Sequence, residues 1–158
     1  MRLRHSLLAA TALLAFGTSA QEISYDFVAC THGKRTVLEQ NADIVSFATE
    51  GWGTVASSTT KEFENASTHC MGYMRVLGGR PYGKGNCKWV FASGDTAVGE
   101  YEFGQGPEPK FTWLAGTGKL KGIQGGGTFK TVFDARPAQE GTGQGCRRDW
   151  GKFKTAAG

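Results

Sequence analysis

The sequence predicts an all-β protein whose strands close into an antiparallel barrel. Three observations carry that expectation. Beyond residue 20, nearly every segment shows period-two alternation or a short run of β-branched and aromatic residues, cut by Gly, Asn, Asp or Pro. No segment offers the helix that a parallel crossover requires, which excludes an α/β sheet. Four cysteines, Cys30, Cys70, Cys87 and Cys146, are spread so that one bridge can tie the first strand to the last, and a meander joined end to end has come full circle.

Taken in order, the chain opens on Arg2 and Arg4, an apolar run from Leu7 to Phe16, and the small residues Gly17-Thr18-Ser19-Ala20. This is the pattern of a signal peptide cut near Ala20, leaving one domain over 21–158. The apolar run is about ten residues, half of the roughly 20 that span a bilayer, and no later stretch approaches that length. Strands are expected near Ile23 to Thr31, Thr36 to Gln40, Asp43 to Thr49, Gly53 to Ser58, Ser67 to Leu77, Cys87 to Ala92, Thr96 to Phe103, Lys110 to Leu114, Gly127 to Phe133 and Arg147 to Lys154. Lys61 to Ser67 can form a helical turn. Gly78 to Gly85 and Ser93-Gly94-Asp95 read as hairpin connections, and the two prolines of Gly106-Pro107-Glu108-Pro109 cannot sit inside a central strand.

Charge and cysteine chemistry narrow the partners. The chain has 18 Lys plus Arg against 14 Asp plus Glu. Removing Arg2 and Arg4 with the signal leaves a mature charge of +2 instead of +4, too little to expect nucleic acid as a partner. An even number of cysteines in an exported chain favours two disulfides. Three pairings are possible. Cys70 with Cys87, on neighbouring strands, is the natural choice, and Cys30 with Cys146 then closes the barrel. No zinc-site spacing arises from Cys30, His32, His69 and Cys70, and no Cys-x-x-Cys is present, so neither a metal nor a redox pair is expected.

The glycine-rich segments imitate nucleotide sites without completing them. Gly78 with Gly83-Lys84 falls short of a P-loop because Gly85 replaces the hydroxyl and no helix follows. Gly116-Thr117-Gly118 with Gly122 misses the dinucleotide spacing by one residue and leads into a strand. No cofactor is expected. The stretch Gly116-Thr117-Gly118-Lys119-Leu120-Lys121-Gly122-Ile123-Gln124-Gly125-Gly126-Gly127-Thr128-Phe129, preceded by the strand Phe111 to Leu114, nonetheless resembles a signature of the allene oxide cyclase and dirigent-like barrel superfamily. Upstream, Gly85 to Asp95 looks like the strand, Gly-Asp turn and strand that precede it in bacterial members. The resemblance covers about Gly72 to Phe133. It implies a closed antiparallel barrel of about eight main strands, lipocalin-like in outline, with an apolar interior that holds a fatty-acid epoxide in the cyclases and orients phenoxy radicals in dirigent proteins. No catalytic residue carries over to this chain.

Alternation assigns an inner face. Trp89, Phe91, Tyr101, Phe103, Phe111, Trp113, Phe129 and Phe133 are expected to line the barrel, while Lys88, Glu100, Glu102, Lys110, Thr112, Thr128 and Lys130 face water. Three functions compete. The leading one is binding of a small apolar or aromatic ligand among those rings. The second is an isomerase or cyclase acting on an oxidised lipid or phenolic, with Asp26, Glu100, Glu102, Tyr101, His32 and His69 as acid-base candidates. The third is a filled barrel that meets an anionic partner through Arg148, Trp150, Lys152 and Lys154 on the last strand.

Overall fold

The computed structural model describes residues 22–156, so the expected signal peptide lies outside it. Eight antiparallel strands run β1 (Glu22–Gln40), β2 (Ile44–Ser58), β3 (Ser67–Leu77), β4 (Arg80–Val90), β5 (Thr96–Phe103), β6 (Lys110–Gly116), β7 (Gln124–Ala135) and β8 (Thr142–Lys154). Each pairs with its neighbour in sequence, and β8 returns to β1, closing the barrel. No helix among the described residues is long and apolar enough to cross a membrane.

Eight strands stand where ten were expected, because interior glycines resemble turns in the sequence. The expected strands before and after Gly33 are a single β1, and those before and after Gly51-Trp52-Gly53 are a single β2, with Gly33 paired to Gly51. Their backbones pass so closely that a Cβ on Gly33 would strike the Glu50 carbonyl. Likewise β4 begins at Arg80 instead of Cys87. Only Gly78-Gly79, both at positive φ, make the β3–β4 turn. Gly83 and Gly85 lie inside β4, opposite Phe103 and Tyr101, and a Cβ on either would collide with those rings. A ring on one strand thus occupies the space that a missing side chain leaves on the next.

One end of the barrel is solid. The β2–β3 connection makes a 3₁₀ turn at Lys61–Phe63, within the stretch expected to form a helical turn, and places Phe63 among six rings: Tyr25, Phe27, Trp89, Phe91, Trp113 and Phe153. Its nearest neighbour, Phe27, is 4.6 Å away centroid to centroid. A second 3₁₀ turn, Gly118–Leu120, adds buried Leu120, and Ile123 follows. This turn belongs to the glycine-rich stretch noted above. The Asp95 carboxylate sits against Gly118, while the Thr117 hydroxyl accepts a 2.9 Å hydrogen bond from the Thr96 amide. The two stretches that carry the family resemblance therefore pack on each other as a structural corner.

Both disulfides form with the expected pairing, Cys30–Cys146 and Cys70–Cys87. Cys87 is fully buried, in a row with Trp89 on the inner face. Cys30 alternates with inward Ala29 and Phe27, so its bridge clamps β1 to β8 from outside. The loops closed span 116 and 17 residues. Loop entropy predicts that replacing Cys30 and Cys146 by Ala costs about 5 kcal/mol, against about 3 kcal/mol for Cys70 and Cys87. Urea unfolding of the two double variants tests that order. Phe63→Ala, which empties the centre of the ring cluster, is expected to cost about 3–5 kcal/mol with the barrel retained.

Candidate functional site

Above the ring cluster the barrel is hollow. A cavity of about 250 Å³ opens at the end where β1 and β2 project, with Thr31, Thr49, Tyr101, Phe103, Phe129, Thr131 and Arg147 among its walls. The eight residues expected to line the barrel divide between these two levels. Trp89, Phe91, Phe111 and Trp113 are buried in the packed end. Tyr101, Phe103 and Phe129 reach the cavity. Phe133 does neither: it is 53% exposed on the outer surface. A bulge between Thr131 and Phe133 inserts Val132 and turns the next side chain outward, so simple alternation fails one residue past Thr131.

Two charges lie on the inner face of β8 at the base of the cavity, Arg147 in its lining and Asp149 one rung deeper, outside the lining. Phe153 is an inward core residue, and counting back by twos gives Gly151, Asp149 and Arg147. Register sets these on successive rungs. Asp149 lies level with Phe27 and Phe129, and Arg147 one rung nearer the mouth, level with Ala29 and Thr131. The Arg147 guanidinium sits 5.0 Å above the Phe129 ring, and its Nε is 3.0 Å from Asp149 Oδ2. That contact is close enough for Coulombic attraction but too poorly aligned for a hydrogen bond. Arg147 Nε and Nη2 and Asp149 Oδ2 consequently have no hydrogen-bond partner. Burial pushes the Asp149 carboxyl up, and the Arg147 charge opposes that rise without cancelling it. Tyr25, one rung below, is also pushed up, by burial first and then by the Asp149 charge, so its phenol stays protonated.

The remaining acid-base candidates lie outside. The Asp26 carboxylate accepts from Arg148, including a 2.8 Å bond from Nε, and that hydrogen bonding holds it below the usual carboxylate range. Lys84 is 3.1 Å from Glu100 and 3.9 Å from Glu102 on the outer surface. His69 is 3.0 Å from Glu50 and stacks on Trp52, which stacks in turn on His32. Of that set only Tyr101 faces the interior. On the last strand, Arg148 and Lys152 are engaged by Asp26 and Glu22 of β1, and Arg148 lies 5.7 Å over Trp150. Two of the three cations of the face expected to meet an anionic partner thus already have partners within the chain.

With this geometry in hand, similarity to known proteins can be judged. No family model matches the chain, and no curated protein matches its sequence. Among solved structures it is similar to the pterocarpan synthase dirigent protein GePTS1, with a TM-score of 0.55 and 10% identity over 94% of this chain and 99% of that one. At that identity the likeness is one of fold. The chain shares the eight-stranded barrel fold of that dirigent protein.

The buried carboxyl makes stability depend on pH in a defined sense. Because the folded-state pKa of Asp149 is raised, the folded chain holds that proton more tightly than the unfolded chain. Stability is therefore greatest below the unfolded carboxylate range and declines as pH rises through the folded pKa. Arg147→Met removes the opposing charge and strands Asp149, so the variant should lose about 3–5 kcal/mol at neutral pH. It should lose markedly less in acid. Urea midpoints measured across that range check both the sign and the difference.

Proposed function

We propose that this is an exported, two-disulfide barrel of the bacterial branch of the allene oxide cyclase and dirigent-like superfamily, with residues 1–20 removed and 21–158 forming one domain. It binds a small aromatic ligand carrying an acidic group in the mouth cavity. The disulfides fit an oxidising compartment. The observation that carries the ligand reading is Arg147: a guanidinium with two unpartnered donors in an aromatic-walled cavity, compensated only by a carboxylate that burial drives toward neutrality. A phenolate or carboxylate completes those donors. Its ring takes the apolar surface of Tyr101, Phe103 and Phe129.

Size favours one ring over a long chain. A cavity of about 150 Å³ accepts benzene, so one of about 250 Å³ takes a single substituted ring. A fatty-acid epoxide, the ligand that the cyclase resemblance brings with it, would have to extend far outside. An isomerase or cyclase acting on a phenolic is the alternative that this geometry leaves in place, with the Tyr25 phenol and the Asp149 carboxyl, both pushed up by burial, beneath the floor.

Calorimetric titration with 4-hydroxycinnamate and with its methyl ester is the test. The acid should bind saturably with one site per chain, the ester at least about tenfold more weakly, a difference of about 1.4 kcal/mol. Thr131→Phe, which fills the cavity without touching the ring cluster, should abolish binding. No saturable binding of any single-ring acid, or equal binding to the Thr131→Phe variant, removes the proposal.

A further inference from the structure

The mouth of the barrel is lopsided. β1 leaves β8 after Lys34↔Thr142 and runs on to Gln40 beside β2 alone, while β5 meets β4 only from Gly83↔Phe103 onward. The ends of β1, β2 and β3 with the start of β4 therefore stand above the rest of the rim as a lip. Its inner face continues the cavity wall. Thr49 and Met74 line the cavity, and the period of two carries that face from Thr49 to Phe47 and Val45, and from Met74 to Val76. Register sets these side chains on successive apolar rungs, first Val37, Phe47 and Met74, then Val45 and Val76. Val37 is 56% exposed and Val76 37%. The charged residue of this face, Arg35, lies against the Phe47 ring, 5.5 Å from its centroid. The other side of the mouth is polar, with Asp134 and Gln144 in the cavity wall.

We infer that the ligand of the cavity carries an apolar substituent opposite its acidic end, and that this substituent lies along Phe47, Val45 and Val76 on the lip. The inference rests on the acid-binding reading of Arg147 given above. An acid seated on Arg147 at the base of the cavity turns the far end of its ring toward the mouth. A group leaving the ring there meets the polar β7–β8 side or the apolar lip, and only on the lip does covering apolar surface stabilise it. Successive rungs are about 7 Å apart, so a substituent of about five carbons spans them. Continuity with the cavity also separates this occupant from others. These side chains face the bore, where a flat membrane or a second barrel meets the rim instead. The turn at the top of the lip carries Glu39, Asn41 and Asp43, all exposed, and burying two carboxylates against lipid is costly.

Calorimetric titration of the oxidised mature protein with 4-methoxybenzoate and 4-butoxybenzoate tests this. The butoxy acid has three more methylenes, and half-covering each should tighten binding about twofold, or about eightfold in all. Replacing Val37 and Val76 together by Thr keeps the branched shape, removes apolar surface from the lip and should cut that ratio to about twofold. A second measurement needs no variant: the methyl resonances of Val37, Val45 and Val76 should shift with the butoxy acid and stay in place with the methoxy acid. Equal affinity for the two acids overturns the inference and leaves the reading of Arg147 standing, whereas failure of both acids to bind removes that reading and the inference with it. A ratio that survives undiminished in a folded double variant, or valine methyls that ignore the butoxy acid, also overturns it. Equal affinities together with flotation of the protein on phosphatidylglycerol vesicles, lost in the double variant, would assign the lip to a lipid surface instead.

Discussion

An eight-stranded barrel encloses a space barely wider than the side chains that point into it, and everything else in this protein follows from how that space is filled. Large rings cannot face one another across so narrow a bore on every strand. Here they alternate with glycine. Tyr101 fits because Gly72 and Gly85 lack side chains, Phe103 because Gly83 does, and Phe111 because Gly99 does. The rule holds across three consecutive strands, β3 to β5, so a methyl group at any of these glycines would have to displace a ring. Glycine in this chain thus shapes the interior at these four positions, in addition to making turns and bends at positive φ.

This double use of glycine explains where sequence reasoning succeeded and where it failed. The all-β class, the closure of β8 on β1, both disulfides and the 3₁₀ turn bearing Phe63 were legible, because alternation, turn chemistry and cysteine position are local signals. Strand lengths were not, because Gly33, Gly51, Gly83 and Gly85 look like loop residues until the strand beside them is known. Phe133 was misplaced for a related reason: a bulge leaves no mark in the alternation, and only pairing with Cys146 shows that Val132 is the additional residue. Arg147 and Asp149 were missed despite a signal that was present. Phe153 anchors the inner face of β8, and residues two, four and six before it share that face. Only the opposite face of that strand, Arg148, Trp150, Lys152 and Lys154, was given a role, because charged residues ordinarily act from the surface.

The two disulfides sit where the barrel's own pairing leaves different needs. Cys70–Cys87 joins strands that also share a tight hairpin, and it contributes an inert, fully buried wall beside Trp89. Cys30–Cys146 joins the first strand to the last across a separation of 116 residues, so its closure entropy is the larger of the two. The β6–β7 seam receives no such clamp. Its two residue pairs are supported by the Thr128 hydroxyl, which donates a 2.6 Å hydrogen bond to the Pro109 carbonyl. The barrel is therefore rigid at the β1–β8 junction and open beside the cavity wall formed by Phe129 and Thr131.

The level at which the interior changes from solid to hollow is fixed by charge. Below it, Phe63 and its six neighbours fill the bore with ring against ring. Apolar residues of matching size at 147 and 149 would carry that packing upward and, as buried ion pairs generally show, would cost nothing in stability and could add to it. The chain instead keeps a misaligned pair with three unpartnered polar atoms. Core packing cannot continue across such a rung without burying those atoms still more deeply, and water alone would leave the rings of Phe103 and Phe129 against solvent. The ligand proposed above, with one polar end and one aromatic body, would satisfy both if placed with the polar end down. The same pair that weakens the core thus marks where the cavity begins.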